Sequence, residues 1–107
     1  MMIEVRYPQA WPQLSDVAKL VLQAGINAGH HRQAIMALAE RVARAASATG
    51  LTANRLNNPS SPAAINMAIQ ILNYGGVYRY LIQIRDGSLA CADQERQFLY
   101  TLLREMS

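Results

Sequence analysis

The chain has 107 residues, of which 51% are hydrophobic and 16% are charged, and its formal net charge is +3. One hydrophobic core fits this length, whereas two cores would both be undersized, so we expect a single domain over residues 1–107. The apolar share excludes wholesale disorder. The basic excess permits an anionic partner without requiring one, and its distribution along the chain is more informative than its sum.

The inventory of special segments and reactive side chains is short. The opening stretch, MMIEVRYPQAWPQ, lacks the apolar core of a signal peptide, and no stretch reaches the roughly 18 apolar residues of a membrane span. We therefore expect a cytoplasmic protein without membrane contact. Cys91 is the single cysteine, which excludes an internal disulfide and argues against a zinc site. His30 and His31 would point about 100° apart on a helix, so we expect no metal and no cofactor.

The first half of the chain predicts an extended segment and two helices. Apolar and polar residues alternate over residues 2–7, which is typical of a short strand or an extended arm. An amphipathic helix is expected over about 13–28, and a second over about 32–49 with Gly50 as its C-terminal cap. The predicted inner face of the first helix is Leu14, Val17, Ala18, Val21, Ala24 and Ala28. The predicted inner face of the second is Ile35, Leu38, Ala39, Val42 and Ala46.

The polar segment 51–61 comes next, with room for at most two helical turns after an N-cap at Thr52. Ser61 followed by Pro62 predicts a new helix start. Proline suits the first helical position because its fixed φ is that of a helix and because the backbone N–H that it lacks would have no partner within the helix there. This helix should end at Gly75 and Gly76. Its predicted buried stripe is Ile65, Ala68, Ile69 and Leu72.

The stretch 77–85 fits two structures. Its β-branched and aromatic content favours a strand, which could pair with residues 2–7, while its spacing also fits a helix. A final helix is expected over about 90–106, with one face formed by Cys91, Phe98, Leu99, Leu102 and Met106. The expected fold is therefore mainly α, a compact four- to five-helix domain. A short two-stranded ribbon of residues 2–7 and 77–85 is the alternative to a helix at 77–85.

Catalytic chemistry is not indicated. The acidic residues fall on predicted outer faces or in turns, whereas acid–base catalysis needs titratable groups in a shared pocket. Ser61 is explained as a helix cap, and Gly75 and Gly76 are not followed by the residues of a phosphate-binding loop. We expect no enzymatic activity, no catalytic residue and no small-molecule substrate.

The charge is unevenly distributed. Between Arg41 and Arg85 the chain has five arginines and no acidic residue, while the residues after Arg85 carry a net negative charge. A basic block of this kind is either an anion-binding surface or the solvated faces of ordinary helices.

The basic block contains a motif. In RVARAASATGLTANRL, a small residue, Ala46, lies four positions before Gly50, and Thr52 can cap a following helix. This arrangement resembles the helix-turn-helix of phage repressor and antitoxin-type regulators, with the resemblance covering about residues 32–72. It implies a small regulator of transcription from a phage or mobile element, with a helix-turn-helix-like element at 41–58 that binds duplex DNA.

The resemblance also implies which side chains contact DNA. The second helix would present the segment 52–58 to the major groove, where Asn and Arg are suited to base edges and phosphates. Arg41 and Arg44 would flank it on phosphates. The candidate nucleic-acid-binding residues are Arg41, Arg44, Thr52, Asn54, Arg55, Asn57 and Asn58.

A non-enzymatic protein-interaction module is the alternative. An antitoxin, an immunity protein, an anti-activator or a phage-encoded inhibitor of a host system would fit a small helical chain with several large aromatics, because such residues anchor interfaces. The candidate partner-binding residues are Trp11, Tyr74, Tyr78, Tyr80 and Tyr100. A homodimer is compatible with both classes.

Overall fold

Five helices make up the secondary structure of the described part of the chain. The computed structural model describes residues 14–52, 55–87, 89 and 91–106. The helices are α1 (Asp16–Asn27), α2 (Arg32–Thr49), α3 (Pro62–Asn73), α4 (Val77–Arg85) and α5 (Asp93–Glu105). The mainly α prediction is confirmed. No helix in these ranges has both the length and the apolar character needed to cross a membrane.

Helix α2 is the centre of the packing. It packs against both α3 and α5, α1 packs on α3 and α2, and α4 packs chiefly on α5. The five residues predicted to face inward from α2 are all buried, as are Phe98, Leu99 and Leu102 of α5. The largest fully buried side chains are Phe98, Leu22, Ile35, Ile65, Ile71, Leu102 and Val42.

Helix ends follow the predicted capping residues. Gly50 adopts a left-handed conformation (φ 74°) after α2, and the N–H of Leu51 donates to the carbonyl of Ala46 at 2.9 Å. This is the Schellman arrangement that glycine permits. At the start of α3, the buried Ser61 hydroxyl accepts from the N–H of Ala64 at 3.1 Å and donates to the carbonyl of Arg55 at 2.8 Å. One serine thus begins α3 and fixes the preceding loop to it.

The preference for a strand at 77–85 is wrong, because these residues form α4. Val77, Leu81 and Ile84 recur at helical spacing and are buried, and burying that stripe outweighs the β propensity of the segment. Gly76 begins the helix at φ 121° and ψ 174°, a conformation essentially restricted to glycine. The ribbon therefore has no strand at 77–85, and its other half, residues 2–7, lies outside the described residues.

The buried face of α1 is also rotated from the prediction. Ala18, Leu22 and Gly25 are buried. Val17, Ala24 and Ala28, which were predicted to face inward, are exposed. The reason is close packing at Gly25, where an added Cβ would lie 2.7 Å from Ile69 and 2.9 Å from Ile35. Two small residues, Ala18 and Gly25, let α1 approach α2 and α3 more closely than a face of larger side chains would.

Candidate functional site

Among the described residues of the segment 52–58, which are Thr52 and 55–58, none belongs to the expected recognition α-helix. Thr52 is not helical, Arg55 has φ 62° and begins a single turn, and Asn54 lies outside the described residues. A right-handed helix needs φ near −63°, so a continuous helix cannot pass through Arg55. Local hydrogen bonds define the loop instead, because the Arg55 carbonyl accepts from Ser61 and the Asn58 amide oxygen accepts from the N–H of Ser60 at 3.0 Å.

The structure brings some of the candidate DNA-binding residues together. Arg44 and Asn57 line one open groove of about 620 Å³, beside Pro59. The same groove is lined by two carboxylates, Glu40 and Glu105. Arg44 Nε lies 3.6 Å from Glu105 Oε1. Thr52, Arg55, Asn57 and Asn58 are exposed in the α2–α3 loop, while Arg41 is half-buried on α2.

The basic block is partly neutralised in three dimensions. Arg44 pairs with Glu105, and Arg85 Nε lies 3.3 Å from the Asp86 carboxylate. Both carboxylates come from the acidic end of the chain, so folding brings the two charge blocks together. The side chains of these pairs are largely exposed, and such pairs contribute little to stability. They nevertheless lower the positive potential that the sequence alone suggests.

The tyrosines fall into two groups. Tyr74, at the end of α3, contacts Tyr80 edge to face with ring centroids 5.2 Å apart, and Tyr80 is half-buried. Tyr78 on α4 is 63% exposed and Tyr100 on α5 is 50% exposed. Tyr78 and Tyr80 point about 200° apart around α4, so they belong to different surfaces. The fifth candidate, Trp11, lies outside the described residues.

A cavity of about 280 Å³ lies between α4 and α5. Its floor is Leu81 and Ile84, and its rim is Arg85, Arg96 and Tyr100. Tyr78 is seven residues before Arg85, which places both on one flank of α4. We call this surface, formed by Tyr78, Leu81, Ile84, Arg85, Arg96 and Tyr100, the tyrosine face.

The sequence predicted the tyrosines of this face but missed its other residues. The signal was present, because Tyr78 and Arg85 share a helical stripe with Leu81. A strand at 77–85 would place Tyr78 on the opposite side from Leu81 and Arg85. No sequence pattern indicated that Arg96 of α5 would line the same cavity as Arg85.

The one cysteine is poorly suited to nucleophilic chemistry. Burial raises the pKa of the Cys91 thiol, and Glu95 raises it further. A raised pKa leaves less thiolate, which is the reactive form. Within the described ranges, no three His, Cys, Asp or Glu side chains are grouped as a metal site would require.

The comparisons with known proteins identify no relative. No protein-family model, curated protein or solved structure matches the chain.

Proposed function

We propose that the chain is a cytoplasmic, non-enzymatic protein that binds another protein through the tyrosine face. The observation that supports this most directly is the exposure of Tyr78 and Tyr100 on the two helices that border the α4–α5 cavity. A regulator or inhibitor of the antitoxin, immunity-protein or phage-inhibitor kind would use such a face.

The chemistry of the face is that of an interface centre. Tyrosine and arginine are the residues most often found, with tryptophan, where single side chains dominate binding energy. Here the cavity is lined by Tyr100 and two arginines together with the apolar Leu81 and Ile84. Tyr78 lies beside it, on the same flank of α4 as Arg85. Arg85 and Arg96 each have one carboxylate nearby, at 3.3 and 3.6 Å, and both pairs are exposed enough to exchange for a partner's groups at small cost.

Affinity capture with the full chain tests the proposal. The bait is incubated with extract of the cells that make the chain, and retained proteins are identified by mass spectrometry. We expect a stoichiometric partner that the Tyr78→Ser/Tyr100→Ser variant fails to retain. Each interface anchor contributes about 2 kcal/mol, and about 1.4 kcal/mol corresponds to tenfold in affinity, so the double variant should lose well over 100-fold.

Tyr74→Ser is the matched control, because it removes an exposed tyrosine from the other surface of the molecule. It should retain the partner as the unmodified chain does. Equal retention by the double variant, or loss of the partner in the Tyr74→Ser control alone, would overturn the assignment to the tyrosine face.

Duplex DNA binding is the second candidate, and one observation favours it: Arg44 and Asn57 line a single groove next to the exposed α2–α3 loop. This surface would contact DNA without a recognition helix, mainly through phosphates. Glu40 and Glu105 oppose that binding, since both carboxylates line the groove.

Because the two carboxylates oppose DNA binding, removing one of them should raise the affinity for DNA, and this increase can be tested. If the groove binds DNA, Glu105→Gln should free Arg44 and tighten binding by up to about fivefold, because an exposed pair is worth about 0.2–1 kcal/mol. Fluorescence anisotropy with a random duplex at low salt measures the change. Asp16→Asn is the control, because it changes the net charge equally but lies on α1. Equal tightening by both variants, or no binding by any, would remove DNA from consideration.

A further inference from the structure

The cavity between α4 and α5 has a distinctive charge. Two arginines, Arg85 and Arg96, line it, and among the described residues no carboxylate does. The groove beside α2 is by contrast lined by Glu40 and Glu105, and a cavity beside α3 is lined by Glu95. Of these three sites, the α4–α5 cavity is therefore the one that suits an anionic group.

The carboxylates that pair with the two arginines lie outside the cavity. Asp86 directly follows Arg85 in the chain, and Asp93 lies one helical turn before Arg96 with its side chain 96% exposed. A guanidinium has five N–H donors, and in each pair only one nitrogen lies near the aspartate. Both arginines therefore keep donors for a second carboxylate.

Arg104 adds positive charge at the edge of the tyrosine face. It is exposed four residues after Tyr100, so the two side chains are neighbours on the surface of α5. Arg104 donates to the hydroxyl of Thr101 at 3.3 Å, and it forms no ion pair within the described ranges. The face and its edge thus have three arginines against two aspartates.

The size of the cavity fits a side chain of a protein. Its volume of about 280 Å³ lies below the range of about 300–1,000 Å³ that is usual for small-molecule sites. Leu81 and Ile84 are only 9% and 8% exposed, which leaves apolar area for one aliphatic side chain. A nucleic acid would instead need cations spaced along its phosphates.

We propose that the partner presents an acidic segment to the tyrosine face. One aliphatic side chain of the segment packs on Leu81 and Ile84, and a neighbouring Asp or Glu binds Arg85 and Arg96. The inference rests on the proposed function, because it names the chemistry of what that same face binds. The planar fork of arginine matches the two oxygens of a carboxylate, so the face selects its partner by charge as well as by apolar contact.

Selection from a random peptide library displayed on phage, with the full chain immobilised, supplies the probe. We expect the selected peptides to be enriched in Asp or Glu next to an aliphatic residue. The most enriched peptide is then labelled, and its affinity is measured by fluorescence anisotropy. The Arg85→Gln/Arg96→Gln variant should bind it about tenfold more weakly, because each exposed ion pair is worth up to about fivefold.

Arg41→Gln/Arg79→Gln is the matched control, because it removes the same charge from positions outside the cavity lining. It should bind the peptide as the unmodified chain does, and circular dichroism should show equal helix content in all variants. Replacing the acidic residue of the peptide with its amide should weaken binding to the unmodified chain. The same replacement should have little effect on the Arg85→Gln/Arg96→Gln variant, which has already lost the group that the carboxylate contacts.

The outcomes separate the acidic segment from the proposed function. Selected peptides that lack acidic residues but depend on Tyr78 and Tyr100 would overturn the acidic segment and leave the proposed function standing. Selected peptides that Tyr78→Ser/Tyr100→Ser binds equally well would overturn both. Displacement of the peptide by a random DNA duplex would assign the face to nucleic acid and also overturn both. No enrichment, or equal weakening by the two arginine variants, would overturn the acidic segment, while affinity capture tests the proposed function separately.

Discussion

Phe98→Ala should lower the free energy of unfolding by about 3–5 kcal/mol. Phe98 is 1% exposed and is among the largest fully buried side chains, on a helix that packs against α2 and α4. Its removal loses the transfer free energy of the ring and leaves a cavity in a core made mostly of small aliphatic residues. Urea unfolding followed by circular dichroism measures the change. If the m-value, the slope of the unfolding free energy against urea concentration, is unchanged, the substitution has altered stability alone.

Tyr100→Ala is the matched substitution on the same helix. Tyr100 is half exposed at the rim of the α4–α5 cavity, so we expect its loss to change stability by no more than about 0.5 kcal/mol. If Phe98→Ala fails to fold, Phe98→Leu provides a measurable intermediate, which should cost less because more of the cavity is filled. Equal destabilisation by Tyr100→Ala and Phe98→Ala would mean that Tyr100 is a core residue and not an interface anchor.

Comparing Phe98→Ala with Tyr100→Ala also distinguishes a loss of folding from a loss of binding. A variant that loses its partner because it unfolds loses helix content as well, whereas Tyr100→Ala should lose binding with its helix content intact. The tyrosine face predicts this combination, because its two tyrosines contribute little to the core. The same measurements therefore check the fold and the proposed function together.

The sequence was informative wherever one local rule determined the structure. The caps at Gly50 and Ser61 were predicted because left-handed φ and a free side-chain acceptor are local requirements. The inner face of α2 was predicted because this helix is flanked by α3 and α5, and hydrophobic spacing is unambiguous in such a helix.

Features that depend on tertiary contacts were not predictable in the same way. Segment 77–85 is ambiguous by itself, and its packing against α5 selects the helix. The 51–61 loop resembled a recognition helix because Gly50 and Thr52 match that motif, while a hydrogen bond from Ser61 to the Arg55 carbonyl holds a different conformation. Hydrophobic spacing also cannot indicate which of two adjacent apolar faces of α1 is the closer packed.

Gly25→Val should lower the free energy of unfolding by about 3 kcal/mol, the second large effect we expect. In an unobstructed helix, replacing glycine with alanine gains up to about 1 kcal/mol, because glycine loses the most backbone entropy on folding. Here the sign reverses, since an added Cβ would lie 2.7 Å from both Cγ1 and Cδ1 of Ile69. Overpacking of this kind costs about 1–3 kcal/mol, and the branched valine adds further crowding and lower helix propensity.

Ala24→Val is the control for the intrinsic effect of valine, because position 24 is the exposed neighbour on the same helix. It should cost only about 0.5 kcal/mol. Combining Gly25→Ala with Ile69→Val should recover part of the loss from Gly25→Ala, because the smaller side chain makes room for the new Cβ. A double-mutant cycle in urea measures that coupling. If Gly25→Ala stabilises the chain, α1 does not pack closely on Ile69 and Ile35 at this point.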